Sequence, residues 1–131
     1  MDGRRRVAVV EDDEDIRDLV VEVLGQLGFE AVGYADGAVA LEALRRSVDD
    51  PAVILLDLEM PGMTGWEFRR EQLRDPHLAS IPVVVASGAL DGHAIQADAY
   101  LPKPYETAAL CSVLARLSLR SRGGPASAAG A

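Results

Sequence analysis

Four places in this sequence set reactive side chains at the end of an apolar stretch. Val7-Ala8-Val9-Val10 leads into Glu11-Asp12-Asp13, Ala52-Val53-Ile54-Leu55-Leu56 into Asp57, and Val83-Val84-Val85-Ala86 into Ser87. Lys103 follows a weaker apolar stretch and stands between Pro102 and Pro104, which stiffen its backbone and aim the amine. Carboxylates that converge repel one another unless something positive sits among them, and hard oxygen ligands with room for water suit Mg²⁺. The chemistry implied is divalent-cation binding at a carboxylate cluster, with one hydroxyl and one ammonium at hand. Each residue taken singly also has a plainer role. Asp12, Asp13 or Asp15 can cap a helix, Asp57 can shape the turn Met60-Pro61-Gly62, and a lone lysine is usually solvated.

The apolar runs themselves say how these groups are carried. They are short, unbroken and rich in β-branched residues, as in strands buried on both faces of a parallel sheet. Ala31 to Tyr34 and Ala99 to Leu101 read as two weaker strands. Ile16, Leu19, Val20, Val23, Leu24 and Leu27 follow helical spacing up to a stop at Gly28. Asp36 can cap a second helix carrying Leu41 and Leu44, and Thr64 or Gly65 opens a third that ends near Asp75-Pro76. Leu110, Val113, Leu114 and Leu117 stripe a last helix, about Glu106 to Leu119. Strands alternating with helices predict a parallel α/β sheet covered on both faces. In such a sheet ligands bind outside the carboxyl ends of the strands, where strand order reverses. All the reactive groups above fall at those ends.

Composition narrows the class further. Hydrophobic residues make up 49% and charged residues 26% of the 131 residues, ordinary for one globular domain and unlike a disordered, collagenous or coiled-coil chain. Cys111 is the single cysteine, which excludes an internal disulfide framework and fits a reducing cytoplasm. With 21 acidic against 13 basic residues the formal charge is -8, a field that repels phosphate backbones and anionic lipid. Direct nucleic-acid binding and membrane association are therefore not expected. The basic N-terminus meets only Val7 to Val10 before acids begin, so no signal-peptide core is present. The chain divides into a flexible N-terminus over 1–5, one domain over 6–120, and a tail over 121–131 of Gly, Ser, Ala and Pro that reads as disordered.

Four motifs in this order resemble the receiver domain of two-component response regulators, from about Arg5 to Leu119. They are Val9-Val10-Glu11-Asp12-Asp13, Ile54-Leu55-Leu56-Asp57-Leu58-Glu59-Met60-Pro61-Gly62-Met63-Thr64-Gly65, Pro82-Val83-Val84-Val85-Ala86-Ser87 and Tyr100-Leu101-Pro102-Lys103-Pro104. The resemblance implies a flavodoxin-like, doubly wound, five-stranded parallel sheet of order 2-1-3-4-5. It implies that Asp57 is the phosphoacceptor and that Mg²⁺ or Mn²⁺ is held by Asp12, Asp57 and the backbone carbonyl of Glu59, with Glu11 acting largely through a metal-bound water. Ser87 and Lys103 would bind phosphoryl oxygens, and Tyr100 would be the aromatic switch that follows Ser87. The donor implied is a phosphohistidine on a sensor histidine kinase or a histidine phosphotransfer protein, and the output is an unidentified protein target in the cytoplasm. The domain is then no enzyme in the ordinary sense, since it catalyses only its own phosphorylation and dephosphorylation.

Two other readings stay open on the residues. Asp57-Leu58-Glu59 superficially looks like the Asp-x-Asp of aspartyl-phosphate phosphatases, although there the motif lies on the first strand. A folded docking module that is never phosphorylated is the other. His77 and His93 lack a partner pattern and read as solvated, and Cys111 reads as packing. One departure from the family is specific to this chain. Only twelve residues, Gly88 to Ala99, join Ser87 to Tyr100, which predicts a fourth helix that is missing or limited to about two turns. A neighbouring helix or a partner should then cover the edge near Val85 and Tyr100.

Overall fold

The structure is a computed structural model that describes residues 5–47, 50–60, 62–88 and 96–129. Five strands, β1 (Arg5–Val10), β2 (Phe29–Tyr34), β3 (Val53–Asp57), β4 (Val83–Ser87) and β5 (Ala99–Pro102), pair in the order β2-β1-β3-β4-β5. Every pairing is parallel. The helices among the described residues are α1 (Glu14–Gln26), α2 (Gly37–Arg46), α3 (Gly65–Arg74) and α4 (Thr107–Ala129).

The apolar runs are continuous because successive side chains of a strand point to opposite faces and both faces are covered. Ala8, Val10, Ile54, Leu56, Val83 and Val85 pack on one side with Leu41 and Leu44 of α2 and Phe68 of α3. Val7, Val9, Val53, Leu55, Val84 and Ala86 pack on the other with Leu24 of α1 and Leu110, Leu114 and Leu117 of α4. The edge strand β2 is half covered, and Val32 is exposed.

Side chains set the helix starts. Asp13 accepts from the Ile16 N–H at 3.1 Å, and Asp36 accepts from the Val39 N–H at 2.8 Å. Thr64 and Glu67 form a reciprocal capping box, each side chain accepting the other's backbone N–H. After α1, Gly28 takes φ +98°, a left-handed conformation that glycine adopts without a Cβ clash.

Some boundaries differ from the sequence reading. β2 begins at Phe29 rather than Ala31, and β1 begins at Arg5, at the end of the stretch read as a flexible N-terminus. Ladder hydrogen bonds to the neighbouring strand decide both, which apolar clustering alone does not reveal. α4 starts at Thr107 and runs to Ala129, past the Leu119 at which the apolar stripe ends and through the composition read as a tail. Its described core contacts end with Leu117 and Ser118.

The connection from β4 to β5 bears on the shortened helix. Gly88 and Gln96 to Asp98 lie outside any helix, and residues 89–95 lie outside the described residues. The expected shortened fourth helix thus falls mainly on residues outside the described ones. α3 reaches across toward this connection. Arg69 donates to the Gln96 carbonyl at 2.8 Å and to the side chain of fully buried Gln72 at 2.7 Å. Gln72 in turn donates to the carbonyls of Leu78 at 2.9 Å and Ile81 at 3.1 Å. One polar network thus joins α3, the loop before β4 and the approach to β5.

Candidate functional site

β1 and β3 lie side by side with their helices on opposite faces, so strand order reverses between them, and the acids sit at their carboxyl ends. Val10 pairs with Leu56 in register, which brings Glu11 and Asp57 to the same height on the edge. Carboxylate oxygens of Glu11, Asp12 and Asp57 all lie within 4.8 Å of one another. Lys103 arrives from the far side of the sheet, just beyond β5. Its Nζ donates to Asp57 Oδ1 at 3.0 Å and to Glu11 Oε1 at 3.3 Å. The Lys103–Pro104 peptide bond is cis. Asp13 caps α1 and is not among the three clustered carboxylates.

The electrostatics follow from burial. Glu11 is 7% and Asp57 5% exposed, whereas Asp12 faces solvent. Desolvation pushes both buried carboxyls above their ordinary values, more strongly than Lys103 pulls them down. Burial acts to lower the Lys103 ammonium too, but its hydrogen bond to Asp57 and the charges of Asp57 and Glu11 outweigh that and hold it above its ordinary value. Taken together, the site keeps its lysine charged and its carboxylates strained. Three carboxyls against one ammonium form a donor set that a hard divalent cation fits, as oxygen ligands with one open, solvent-facing member.

Backbone contacts fix the loop that follows β3. The Leu58 N–H continues the ladder to the Ala86 carbonyl at 3.2 Å, and the Glu59 N–H donates to Asp57 Oδ1 at 3.4 Å. Gly62 takes φ +74°. Gly65 passes so close to the strand end that a Cβ there would meet the Leu58 side chain at 2.6 Å, Leu58 Cα at 2.8 Å and the Asp57 carbonyl oxygen at 2.9 Å. Gly65→Ala is therefore expected to lower stability by about 1–3 kcal/mol and to weaken cation binding, because the atoms displaced are those of Leu58 and the carbonyl of Asp57, the residue that carries the central carboxylate. Urea denaturation and a Mg²⁺ titration check this; wild-type values in both would show that the turn gives way freely.

Ser87 ends β4, fully buried, and its carbonyl accepts the Lys103 N–H at 2.9 Å. Its hydroxyl donates to the Glu59 side-chain carboxylate. Tyr100 is 46% exposed, and its hydroxyl accepts from the Ala97 N–H at 3.2 Å. All the residues singled out at the strand ends therefore gather at one edge, Tyr100 excepted, which faces outward beside it. Three participants escaped the sequence reading. The Glu59 side chain is one, since only its backbone carbonyl was expected to matter. Arg17 is another, donating to the Glu11 carbonyl at 3.0 Å from the first turns of α1. Tyr105 is the third, a hydroxyl that burial holds above its ordinary pKa near Lys103, Glu11 and Asp57. His77 is exposed, as the sequence reading had it, and its ring nitrogen lies 2.8 Å from Asp50 Oδ1. His93 lies outside the described residues.

Fold and site together define a doubly wound α/β domain whose acidic, lysine-bridged centre occupies the switch point of the sheet. The chain belongs to the response regulator receiver domain family, whose model matches residues 7–115. It is thus a receiver domain of two-component signal transduction. Similar proteins include the alkaline phosphatase synthesis transcriptional regulatory protein SphR of Synechococcus elongatus, 35% identical over 132 residues, covering 92% of this chain and 51% of SphR. The sensory transduction protein RegX3 of Mycobacterium tuberculosis is 35% identical over 121 residues, covering 90% of this chain and 52% of RegX3. The chain spans about half the length of these curated relatives. Among solved structures, the Vibrio cholerae chemotaxis protein CheY4 superposes with a TM-score of 0.79 at 28% identity, covering 88% of this chain and 99% of that one. The receiver domain of sensor histidine kinase PA1611 from Pseudomonas aeruginosa, described with magnesium coordinated in its cleft, shares the fold at a TM-score of 0.80 and 24% identity, covering 88% and 98%. No helix among the described residues is long and apolar enough to cross a membrane.

Proposed function

We propose that this receiver takes a phosphoryl group onto Asp57 from a phosphohistidine of a sensor histidine kinase or histidine phosphotransfer protein, and then alters its surface for a downstream protein. The observation that supports this most is the Lys103 ammonium bonded to Asp57 and Glu11 at an edge that also holds Asp12 and Ser87. An Asp57 carboxylate oxygen attacks phosphorus in line. The new O–P bond forms as the P–N bond breaks, and its electron pair returns to the imidazole nitrogen. Charge in the loose transition state spreads over three equatorial oxygens, for which the Lys103 ammonium and the Ser87 hydroxyl are donors that need little reorganisation. Glu11, Asp12, Asp57 and the Glu59 backbone carbonyl would hold Mg²⁺ or Mn²⁺, which when bound supplies charge neutralisation for the phosphoryl oxygens.

The product adds about -1.5 to -2 charge and three acceptor oxygens at this edge. Ser87 moving toward it, and Tyr100 leaving its exposed position, are the switch. The rest of the reading rests on charge and composition: a cytoplasmic domain over 6–120 without direct contacts to nucleic acid or membrane, whose own turnover is limited to gaining and losing the phosphoryl group. The test is incubation with acetyl phosphate, with and without Mg²⁺, followed by intact mass and peptide mapping. One phosphate on the peptide carrying Asp57, gained only with the cation, is the expected result. No addition, or a label mapped to Ser87 or a histidine, would overturn the assignment.

A further inference from the structure

Ser87 and Glu59 reach the site from different strands. Ser87 ends β4, and Glu59 follows β3 by two residues; Asp57 pairs with Ala86 in register, so Ser87 lies one residue past the phosphoacceptor's own partner. The buried Ser87 hydroxyl donates to the Glu59 carboxylate, which reaches in from a solvent-exposed residue. A carboxylate and a phosphoryl group present the same thing to a hydroxyl, an anionic oxygen acceptor. The negative charge of Glu59 also acts on Asp57, where it opposes ionisation.

We propose that Glu59 is a positioning residue that latches Ser87 in the unphosphorylated state, its carboxylate standing where a phosphoryl oxygen would otherwise take the hydroxyl. This rests on the assignment of Asp57 and Ser87 made above and adds a competitor to it. Arrival of the phosphoryl group must break the Glu59 contact, because one hydroxyl proton cannot serve both acceptors. The latch holds the empty site in a single arrangement and slows entry into the switched one. It also separates two contributions of Glu59, the backbone carbonyl toward the cation and the side chain toward Ser87.

The experiment is a titration with beryllium fluoride at fixed Mg²⁺, followed by the fluorescence of Trp66, on wild type, Glu59→Ala, Glu59→Gln, Ser87→Ala and the Glu59→Ala, Ser87→Ala pair. Glu59→Ala should bind about 3–10-fold tighter than wild type, and most of that gain should vanish in the Ser87→Ala background. Glu59→Gln, which keeps an acceptor oxygen without the charge, should fall between. Equal gains in both backgrounds would mean that Glu59 acts only by repulsion and would overturn the latch, as would no gain at all. In the unliganded protein, the Ser87 amide and Cβ resonances should shift in Glu59→Ala and only slightly in Glu59→Gln. Unchanged resonances in both overturn the latch. Failure of wild type to bind beryllium fluoride with Mg²⁺ strikes instead at the phosphoacceptor reading, and the resonances of the unliganded protein still decide the contact.

Discussion

Asp57→Asn protein is expected to gain no phosphate from acetyl phosphate, yet to melt at a higher temperature than wild type when divalent cations are chelated. The loss of function is complete because the amide lacks the nucleophilic carboxylate. The stability gain comes from burial. Desolvation holds the Asp57 carboxyl above its ordinary value of 3.8 in the native protein. A carboxyl of that kind binds protons more readily folded than unfolded, so stability falls as pH rises from the ordinary value through the raised one, and the full penalty applies above the raised value. Asparagine removes the ionisation and keeps an oxygen for the Lys103 ammonium and the Glu59 N–H. Mg²⁺ reverses the ranking, since at a hundredfold excess over Kd it stabilises wild type by about 2.7 kcal/mol and the variant by less. Melting curves in chelator and in Mg²⁺ check both halves. A lower melting temperature for the variant in chelator would show that pairing with Lys103 outweighs burial.

Lys103→Met keeps the aliphatic stem and deletes the ammonium. Phosphorylation should slow by about 10²–10³-fold, the usual cost of removing one preorganised donor from a developing anion, while Mg²⁺ binding persists. Stability should also drop at neutral pH, by about 1–3 kcal/mol in chelator, because two buried carboxylates lose a charged partner. In wild type, Lys103 is held above its unfolded value, so its contribution is fully present below the ordinary 10.5 and is lost only as pH rises through the raised value. The variant's deficit should instead shrink as pH falls and Glu11 and Asp57 take up protons, since burial raises both above their ordinary values. Stopped-flow phosphorylation and denaturation across pH measure these effects. A wild-type rate would remove Lys103 from the chemistry.

The strands were legible because a sheet buried on both faces leaves unbroken apolar runs, and the acids interrupt those runs where strands emerge, whereas the order of the strands came only from the resemblance to receiver domains. The Asp36 cap and the Thr64 opening of α3 were legible for a local reason, since a cap reads only three residues ahead. Contacts between distant loops were not. Glu59 and Ser87 are 28 residues apart and His77 and Asp50 are 27 apart, so their meeting depends on strand spacing and loop direction that composition does not carry. Gln72 is the sharpest miss. A polar residue on a helix normally marks the solvent face, yet this one is fully buried and satisfies two carbonyls of the following loop.

The single backbone hydrogen bond from the Lys103 N–H to the Ser87 carbonyl gives this site a clock. It is the rung at the end of the β4–β5 ladder, so the hydroxyl-bearing and ammonium-bearing residues hang from its two ends. That amide proton can trade for deuterium only when the rung opens, and its exchange half-life therefore times how often the two residues part company. A ligand gripped by both side chains would lengthen the half-life, while one that touched only the exposed acid, Asp12, would leave it as it was.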